Sequence, residues 1–172
     1  MLTEHSVGQA YVAASRHRLV ESVKKIKHCL DQLTDEQVWW RPNESMNSIA
    51  NLVLHLCGNV RQWIVSGVGG APDHRDRPKE FSERNPITKP ELSRRLDEVV
   101  AQADAVLARL TDQELLEARR IQGFDETPLA AIFDSLTHFQ GHTQEIVFIT
   151  RFQLGDKYKF QWVPTTKEQG AP

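Results

Sequence analysis

Apolar residues recur every three to four positions in four long segments of this chain, and this periodicity restricts the fold more than any other feature. The spacing is that of a helix with one buried face, and no segment shows a convincing strand alternation. The predicted helices run over about 3–33, from Asn47 or Ser48 to Ser66, over 88–110 and from Thr127-Pro128 to about 154. Thr88-Lys-Pro-Glu91 resembles a capping box at the start of the third helix. We therefore predict an all-α four-helix bundle.

A long connection separates the second and third predicted helices. GVGGAPDHRDRPKEFSERNP, residues 67–86, is rich in glycine, proline and charge, and we expect a loop. A connection of this length can cross the whole bundle, so the helices need not alternate up and down. RRIQG at 119–123 and YKFQWV at 158–163 could each pair briefly as strands. We expect one domain over 1–172, with the bundle at about 3–154 and a tail at 155–172.

Charge and hydropathy argue against several classes of protein. The net charge of −2 provides no basic face for nucleic acid or for an anionic membrane. No apolar run approaches the roughly 18 residues of a membrane span, and the N-terminus lacks the features of a signal peptide. Cys29 and Cys57 form neither a disulfide framework nor a CxxC site. We expect reduced thiols and a cytoplasmic protein.

Two pairs of short sequences recur in the same order along the chain. LTDEQ at 33–37 returns as LTDQE at 110–114, and IANLVLHLCGN at 49–59 aligns with IFDSLTHFQGH at 132–142. Short matches also arise by chance, but we interpret these as an internal duplication in which each half is a helix pair. A two-fold relation between the halves would pack the second helix against the fourth.

The aligned helices each carry a stripe of polar residues at the same spacing. The members are Asn51, His55, Asn59 and Gln62 on the second helix, and Asp134, His138, His142 and Glu145 on the fourth. Each stripe lies on one helix face. Burying such groups without partners costs about 1–3 kcal/mol each. The stripes therefore either face solvent or enclose a metal ion or a polar pocket.

His138 and His142 are four residues apart, so a helix presents both imidazoles to one ion. An HxxxH pair is weak evidence by itself, because chance pairs are common in a chain with 7 histidines. His55 on the partner helix strengthens the hypothesis. Three imidazoles suit Zn²⁺ or Ni²⁺, and three protein ligands leave a position open for water, as in catalytic sites. Cys57 lies about 200° around the helix from His55 and is read as a packed small residue.

Three motifs together resemble the DinB/YfiT-like superfamily, and more narrowly the DinB-like families of unknown function. They are WWRP at 39–42, NSIANLVLHLCGN at 47–59 and HFQGHTQEI at 138–146, and the resemblance covers about 5–155. It implies a metal triad of one histidine on the second helix and an HxxxH on the fourth, which is His55, His138 and His142 here. It also implies an up-down-down-up bundle, frequent homodimers, and relatives that include thiol S-transferases.

Three functions remain open from the sequence. In the first, a divalent metal activates a low-molecular-weight thiol or water, so that the protein is a thiol S-transferase or a hydrolase acting on a small molecule. Asp134 and Glu145 would orient an imidazole or accept a proton, and Asn59 and Gln62 would bind a ligand or cofactor. The second is a non-catalytic metal-binding or stress-associated protein. The third is a helical interaction module with hydrogen-bonded histidines.

Overall fold

The computed structural model describes residues 6–163. Within this range the helices are α1 (Val7–Gln32), α2 (Asp35–Trp39), α3 (Ile49–Val60), α4 (Arg77–Ser82), α5 (Lys89–Leu107) and α6 (Pro128–Leu154). Single 3₁₀ turns cover Glu114–Leu116 and Gly155–Lys157. The four long helices α1, α3, α5 and α6 confirm the predicted all-α fold. Of the predicted first helix, residues 3–5 lie outside the described residues, as does the tail from residue 164.

Side-chain caps determine where most of these helices begin. The side-chain oxygens of Ser6, Thr34 and Ser48 each accept a hydrogen bond from the N–H three residues later. The side-chain oxygen of that later residue accepts in turn from the backbone N–H of the cap residue. Thr127 caps α6 through the N–H of Ala130. The capping box predicted at Thr88 does not form, because its side chain makes no cap hydrogen bond; Pro90 in the first turn starts α5 without one.

The second predicted helix ends differently from the expectation. Beyond Val60 the chain continues as a π-helix over Arg61–Val68, in which the N–H of Gly69 donates to the carbonyl of Ile64 at 2.9 Å. The wider turn moves the later side chains around the helix relative to an α-helical continuation. Residues 61–68 therefore present a different face from the one that the α-helical period predicts.

The region predicted as a loop at 67–86 contains the short helix α4. Asp76 caps it through the N–H of Lys79, and Pro78 lies in its first turn. RRIQG does pair: β1 (Arg119–Ile121) and β2 (Phe124–Glu126) form an antiparallel hairpin. YKFQWV forms no strand in the described residues. None of the described helices is both long enough and apolar enough to span a bilayer.

α1 and α5 run antiparallel. The Nε of Arg16 donates to Asp104 at 2.6 Å, and the Nζ of Lys27 donates to Asp97 at 2.7 Å. Positions further along α1 therefore meet earlier positions of α5.

α1 and α6 run parallel. The Tyr11 hydroxyl, early in α1, donates to the carbonyl of Leu129, early in α6, at 2.8 Å. Gln153, late in α6, donates to the carbonyl of Gln37, just beyond the end of α1, at 3.0 Å.

α3 runs antiparallel to α6, which it packs against as the repeat predicted. His55 contacts His138, whereas Asn59, one turn later, contacts Ser135. Together these directions make α1 up, α3 down, α5 down and α6 up, with the chain crossing the bundle between α3 and α5. The topology is the predicted up-down-down-up bundle.

The apolar core lies between the four long helices. Its fully buried side chains include Ile26, Leu56, Leu96, Leu107 and Phe139. The polar stripe of α3 is also buried, so bulk solvent is not the main source of its hydrogen-bond partners. Its partners are found between α3, α6 and the crossover.

Candidate metal centre

Three imidazoles meet between α3 and α6. The ring centroids of His55, His138 and His142 lie 4.5–5.2 Å apart, and one nitrogen from each ring lies within 4.8 Å of the others. The two rings on α6 come from successive turns, and the antiparallel packing places His55 against them. The fold thus brings together the three histidines that the sequence predicts as ligands.

A buried carboxylate from the crossover binds the other side of His55. Nδ1 of His55 lies 2.9 Å from Oε2 of Glu80 on α4, and both side chains are less than a tenth exposed. Arg75 donates two hydrogen bonds to the same carboxylate, at 2.7 and 2.9 Å. Burial alone would raise the pKa of Glu80, but the hydrogen bonds from His55 and Arg75 outweigh it and lower this pKa.

This arrangement selects the tautomer of His55. An ionised Glu80 only accepts hydrogen bonds, so its 2.9 Å contact favours the proton on Nδ1 and the lone pair of a neutral ring on Nε2, over the longer 3.1 Å contact of Nδ1 with the donor Nη2 of Arg75. Nε2 of His55 lies 2.8 Å from Nε2 of His138, which therefore donates to it. The ligand-type nitrogen of His55 points at the other two rings, as carboxylate–histidine pairs do in metal sites.

Gln62 connects the His55–Glu80 pair, through Arg75, to other parts of the fold. Its Oε1 accepts from Nη1 of Arg75 at 2.8 Å and from Nε2 of Gln122, at the hairpin tip, at 2.6 Å. Its Nε2 donates to Asp73 at 2.7 Å. Gln62, predicted to bind a ligand, lies in this buried network, which fixes the crossover against α3.

A second carboxylate binds His142. Nδ1 of His142 lies 2.7 Å from Oε2 of Glu145, the residue predicted to orient an imidazole. This pair is partly exposed, with side-chain exposures of 24% and 40%. Donation from Nδ1 leaves Nε2 of His142 with its lone pair. Asp134, the other predicted carboxylate, hydrogen-bonds to none of the three rings in the described structure.

His138 is held neutral by its surroundings. Burial, and then the nearby rings of His142 and His55, lower its pKa to about 4, with smaller contributions from Arg75 and Arg77. A neutral imidazole has a lone pair for a metal ion at physiological pH, whereas an imidazolium has none.

The donor set fits a borderline divalent ion. Nitrogens bound to one tetrahedral Zn²⁺ lie roughly 3.3 Å apart, given Zn–N bonds of about 2.0–2.1 Å. The 2.8 Å contact between His55 and His138 would therefore have to open by only about half an ångström, and Nε2 of His138 would have to give up the proton that it donates to His55. Zn²⁺ and Ni²⁺ both accept three imidazoles, and the donor set does not distinguish them. Three protein ligands leave a further position for water or substrate.

A cavity of about 510 Å³ opens beside His138. Its other lining residues are Asn59, Trp63, Asp134, Ser135 and Thr137. Two of them, Asn59 and Asp134, belong to the predicted polar stripes. Trp63 is half-buried and forms part of the wall. The volume suits a small molecule.

Sequence reasoning missed Arg75 and Glu80. Both lie in the stretch taken as a charged loop, where no periodicity marks one acidic residue over another. Asp76-Arg-Pro could have indicated the start of the helix α4. The contact between Glu80 and His55, however, follows from the path of the crossover and not from the local sequence. Cys57 is a packed thiol as expected, and burial raises its pKa to about 12.

The fold has relatives among solved structures. A conserved protein from Enterococcus faecalis superposes with a TM-score of 0.71 at 16% identity, over 84% of this chain and 97% of that one. A DinB-like protein from Bacillus cereus gives a TM-score of 0.62 at 16% identity, over 77% and 85%. The DinB-like protein YjoA from Bacillus subtilis gives 0.62 at 15% identity, over 81% and 92%.

Sequence comparison identifies the family more directly. No curated protein matches this chain. The family described as "Protein of unknown function (DUF1572)" matches residues 6–167, nearly the whole length. The chain therefore belongs to the DUF1572 family, and its fold is that of the DinB-like proteins.

Proposed function

We propose that this protein binds one divalent metal ion, Zn²⁺ or Ni²⁺, through His55, His138 and His142, and that it is a metal-dependent enzyme acting on a small molecule. The observation that carries the proposal is the convergence of three imidazoles, two of them fixed by carboxylates, beside an open cavity. The reaction is the transfer of a low-molecular-weight thiol to an electrophile or, with water as nucleophile, a hydrolysis.

The side chains around the site have different roles in the proposed reaction. A divalent metal bound there supplies a Lewis acid that lowers the pKa of a thiol or water. Glu80 and Glu145 hold His55 and His142 in the tautomer that exposes Nε2. Asp134 hydrogen-bonds to no imidazole among residues 6–163 and lines the cavity, so its carboxylate is available to a ligand there, as proton acceptor or as binding group.

The alternative is a non-catalytic metal-binding or stress-associated protein. The buried network of Glu80, Arg75 and Gln62 would let a metal at His55 stabilise the crossover as well as the bundle. The cavity favours the enzyme, because a purely structural zinc site is closed by protein ligands.

Metal analysis is the first test. Protein expressed with Zn²⁺ and Ni²⁺ supplied is expected to retain about one ion per chain, and His55→Ala and His138→Ala are expected to lose it. His17→Ala, an exposed histidine on α1, is the matched control. Substoichiometric metal in the wild type, or equal loss in the control, would contradict the site.

Activity then separates the enzyme from the alternative. The loaded protein is mixed with a thiol and a chloronitroarene, or with ester and amide substrates, and the rate is compared with that of the chelator-treated protein and of His138→Ala. Metal-dependent turnover supports the enzyme. Full metal occupancy without turnover on any of these substrates favours the non-catalytic protein.

We also propose that the protein is a homodimer. α6 exposes three phenylalanines, Phe133, Phe148 and Phe152, at 56%, 68% and 67% of their surface. Exposed aromatic patches of this kind mark interaction surfaces.

A further inference from the structure

Asp134 is an exposed carboxylate in the wall of the cavity beside His138. Among residues 6–163 no side chain hydrogen-bonds or ion-pairs with this carboxylate, although most acidic groups near the site are paired. It is also the one residue lining the cavity whose side chain carries a fixed charge, because no lysine or arginine contributes to the described wall. The cavity therefore offers an unneutralised negative group to whatever enters it.

Trp63 contributes an aromatic side chain to the same cavity. Indole rings attract organic cations through the negative face of the ring, by about 0.5–1 kcal/mol at exposed sites and more where water is excluded. A carboxylate and an indole in one small cavity are complementary to an ammonium or guanidinium group rather than to an anion.

Asn59 supplies an unused hydrogen-bond donor. Its side chain is 9% exposed, and its Oδ1 accepts from the hydroxyl of Ser135 at 2.9 Å. Its Nδ2 has no partner among the described residues. No sealed side-chain nitrogen or oxygen in that part of the chain is left unpaired, so Nδ2 is open to solvent, and Asn59 is one of the residues that line the cavity. A ligand with a hydrogen-bond acceptor could accept a hydrogen bond from Nδ2 of Asn59.

The cationic residues nearby do not cancel the charge of Asp134 in the cavity. Arg75 is neutralised by its paired hydrogen bonds to Glu80, and Arg77 packs over the Phe81 ring at 5.1 Å. Neither of them lines the cavity.

We propose that the cavity binds a small organic amine, with the ammonium group between Asp134 and Trp63 and an acceptor group on Nδ2 of Asn59. Asp134 is then a specificity-determining residue. The binding of the amine in the cavity does not rest on the proposed function, and a divalent ion on the three histidines, being itself a cation, would weaken it.

Two isosteric probes test this on the metal-free protein. Phenethylammonium and 2-phenylethanol differ in the charged group alone, and their affinities are measured by titration calorimetry or by amide chemical shifts at low ionic strength. The ammonium probe is expected to bind about three- to ten-fold more tightly. In Asp134→Asn the preference should fall below about two-fold, and 0.5 M salt should reduce it in the wild type.

Asp156→Asn is the matched control, since Asp156 is an exposed aspartate outside the cavity, and it should keep the full preference. Equal affinity for the two probes, no binding of either, or a preference that survives in Asp134→Asn would overturn the proposal. Zinc uptake is titrated on the same samples. Amine preference without zinc uptake refutes the metal centre alone, and zinc uptake without amine preference refutes the amine site alone.

Discussion

Gly58 lies three residues after His55 on α3, where Glu80 and Arg75 of the crossover lie against that helix. A Cβ at this position would lie 1.8 Å from Oε1 of Glu80 and 3.0 Å from Nε of Arg75. Any side chain here must displace the carboxylate that holds His55. The absence of a side chain at Gly58 is thus a condition for the geometry of the candidate metal centre.

We expect Gly58→Ala to weaken Zn²⁺ binding by about 10- to 100-fold, because loss of a carboxylate behind a ligand histidine typically has that effect. The measurement is competition with a chromophoric chelator. Gly141→Ala is a matched control at the aligned position of α6, where a Cβ meets no atom within 4 Å. It should leave zinc affinity unchanged. An equal loss in both variants would show that Gly58 acts through helix stability and not through Glu80.

At the scale of the single helix, a capping residue contributes when its side chain reaches the first-turn N–H groups. Ser48 is fully buried and bonds reciprocally with Asn51, whose Nδ2 also donates to the carbonyl of Glu80 at 2.9 Å. Thr88 has the same sequence signature but no cap bond. The start of α3 is therefore coupled to the crossover, and the start of α5 is not.

Ser48→Ala is expected to lower the free energy of unfolding by about 1–2 kcal/mol, because it removes a cap and leaves buried polar groups without a partner. Thr88→Ala should change it by less than about 0.5 kcal/mol. Urea denaturation of the two variants beside the wild type measures both. Similar losses in the two variants would contradict the difference between the caps.

At the scale of the whole molecule, exposed residues on α6 lie at positions that are symmetric about the middle of the helix. The exposed residues of α6 are Leu129, Phe133, Asp134, Thr137, Gly141, Gln144, Phe148, Arg151 and Phe152, and six of them (Leu129, Phe133, Thr137, Gln144, Phe148 and Phe152) occupy positions symmetric about the peptide bond between Gln140 and Gly141. Two copies packed antiparallel along α6 would place each Phe133 on Phe148 of the partner subunit, as an isologous two-fold interface requires. These six residues are uncharged, and the two charged residues exposed beside them, Asp134 and Arg151, are of opposite sign.

The area of this face is sufficient for a modest dimer interface. Taking about 200 Å² for each aromatic side chain, the exposed parts of the three phenylalanines cover roughly 400 Å² per copy. Both copies together, with the flanking residues, approach the ~1,000 Å² of a specific interface.

Phe148→Lys is expected to turn the dimer into a monomer, because it brings two cations onto an apolar two-fold interface. Sedimentation equilibrium at several concentrations measures the change. Val7→Lys, at a site 87% exposed on α1, is the control and should remain dimeric. A monomeric wild type, or a dimer that persists in Phe148→Lys, would rule out this face.

The sequence by itself determined the four helices, the cap at Thr127, a start of the second helix at Asn47 or Ser48, and the three histidines that meet. These follow from local rules, since helical periodicity, capping and the i, i+4 relation involve residues within a few positions of each other. The internal duplication remains a prediction. It led to His55 by placing it opposite His138, and the packing of α3 against α6 agrees with it.

Only the tertiary structure decided which carboxylates hold the imidazoles and which groups face the cavity. Glu80 lies 25 residues after His55, so their contact depends on the whole path of the crossover. The π-helical continuation of α3 carries Gln62, which lies in the buried network, and Trp63, which lies in the cavity wall. Contacts of this kind are set by chain path and packing, which no local spacing encodes.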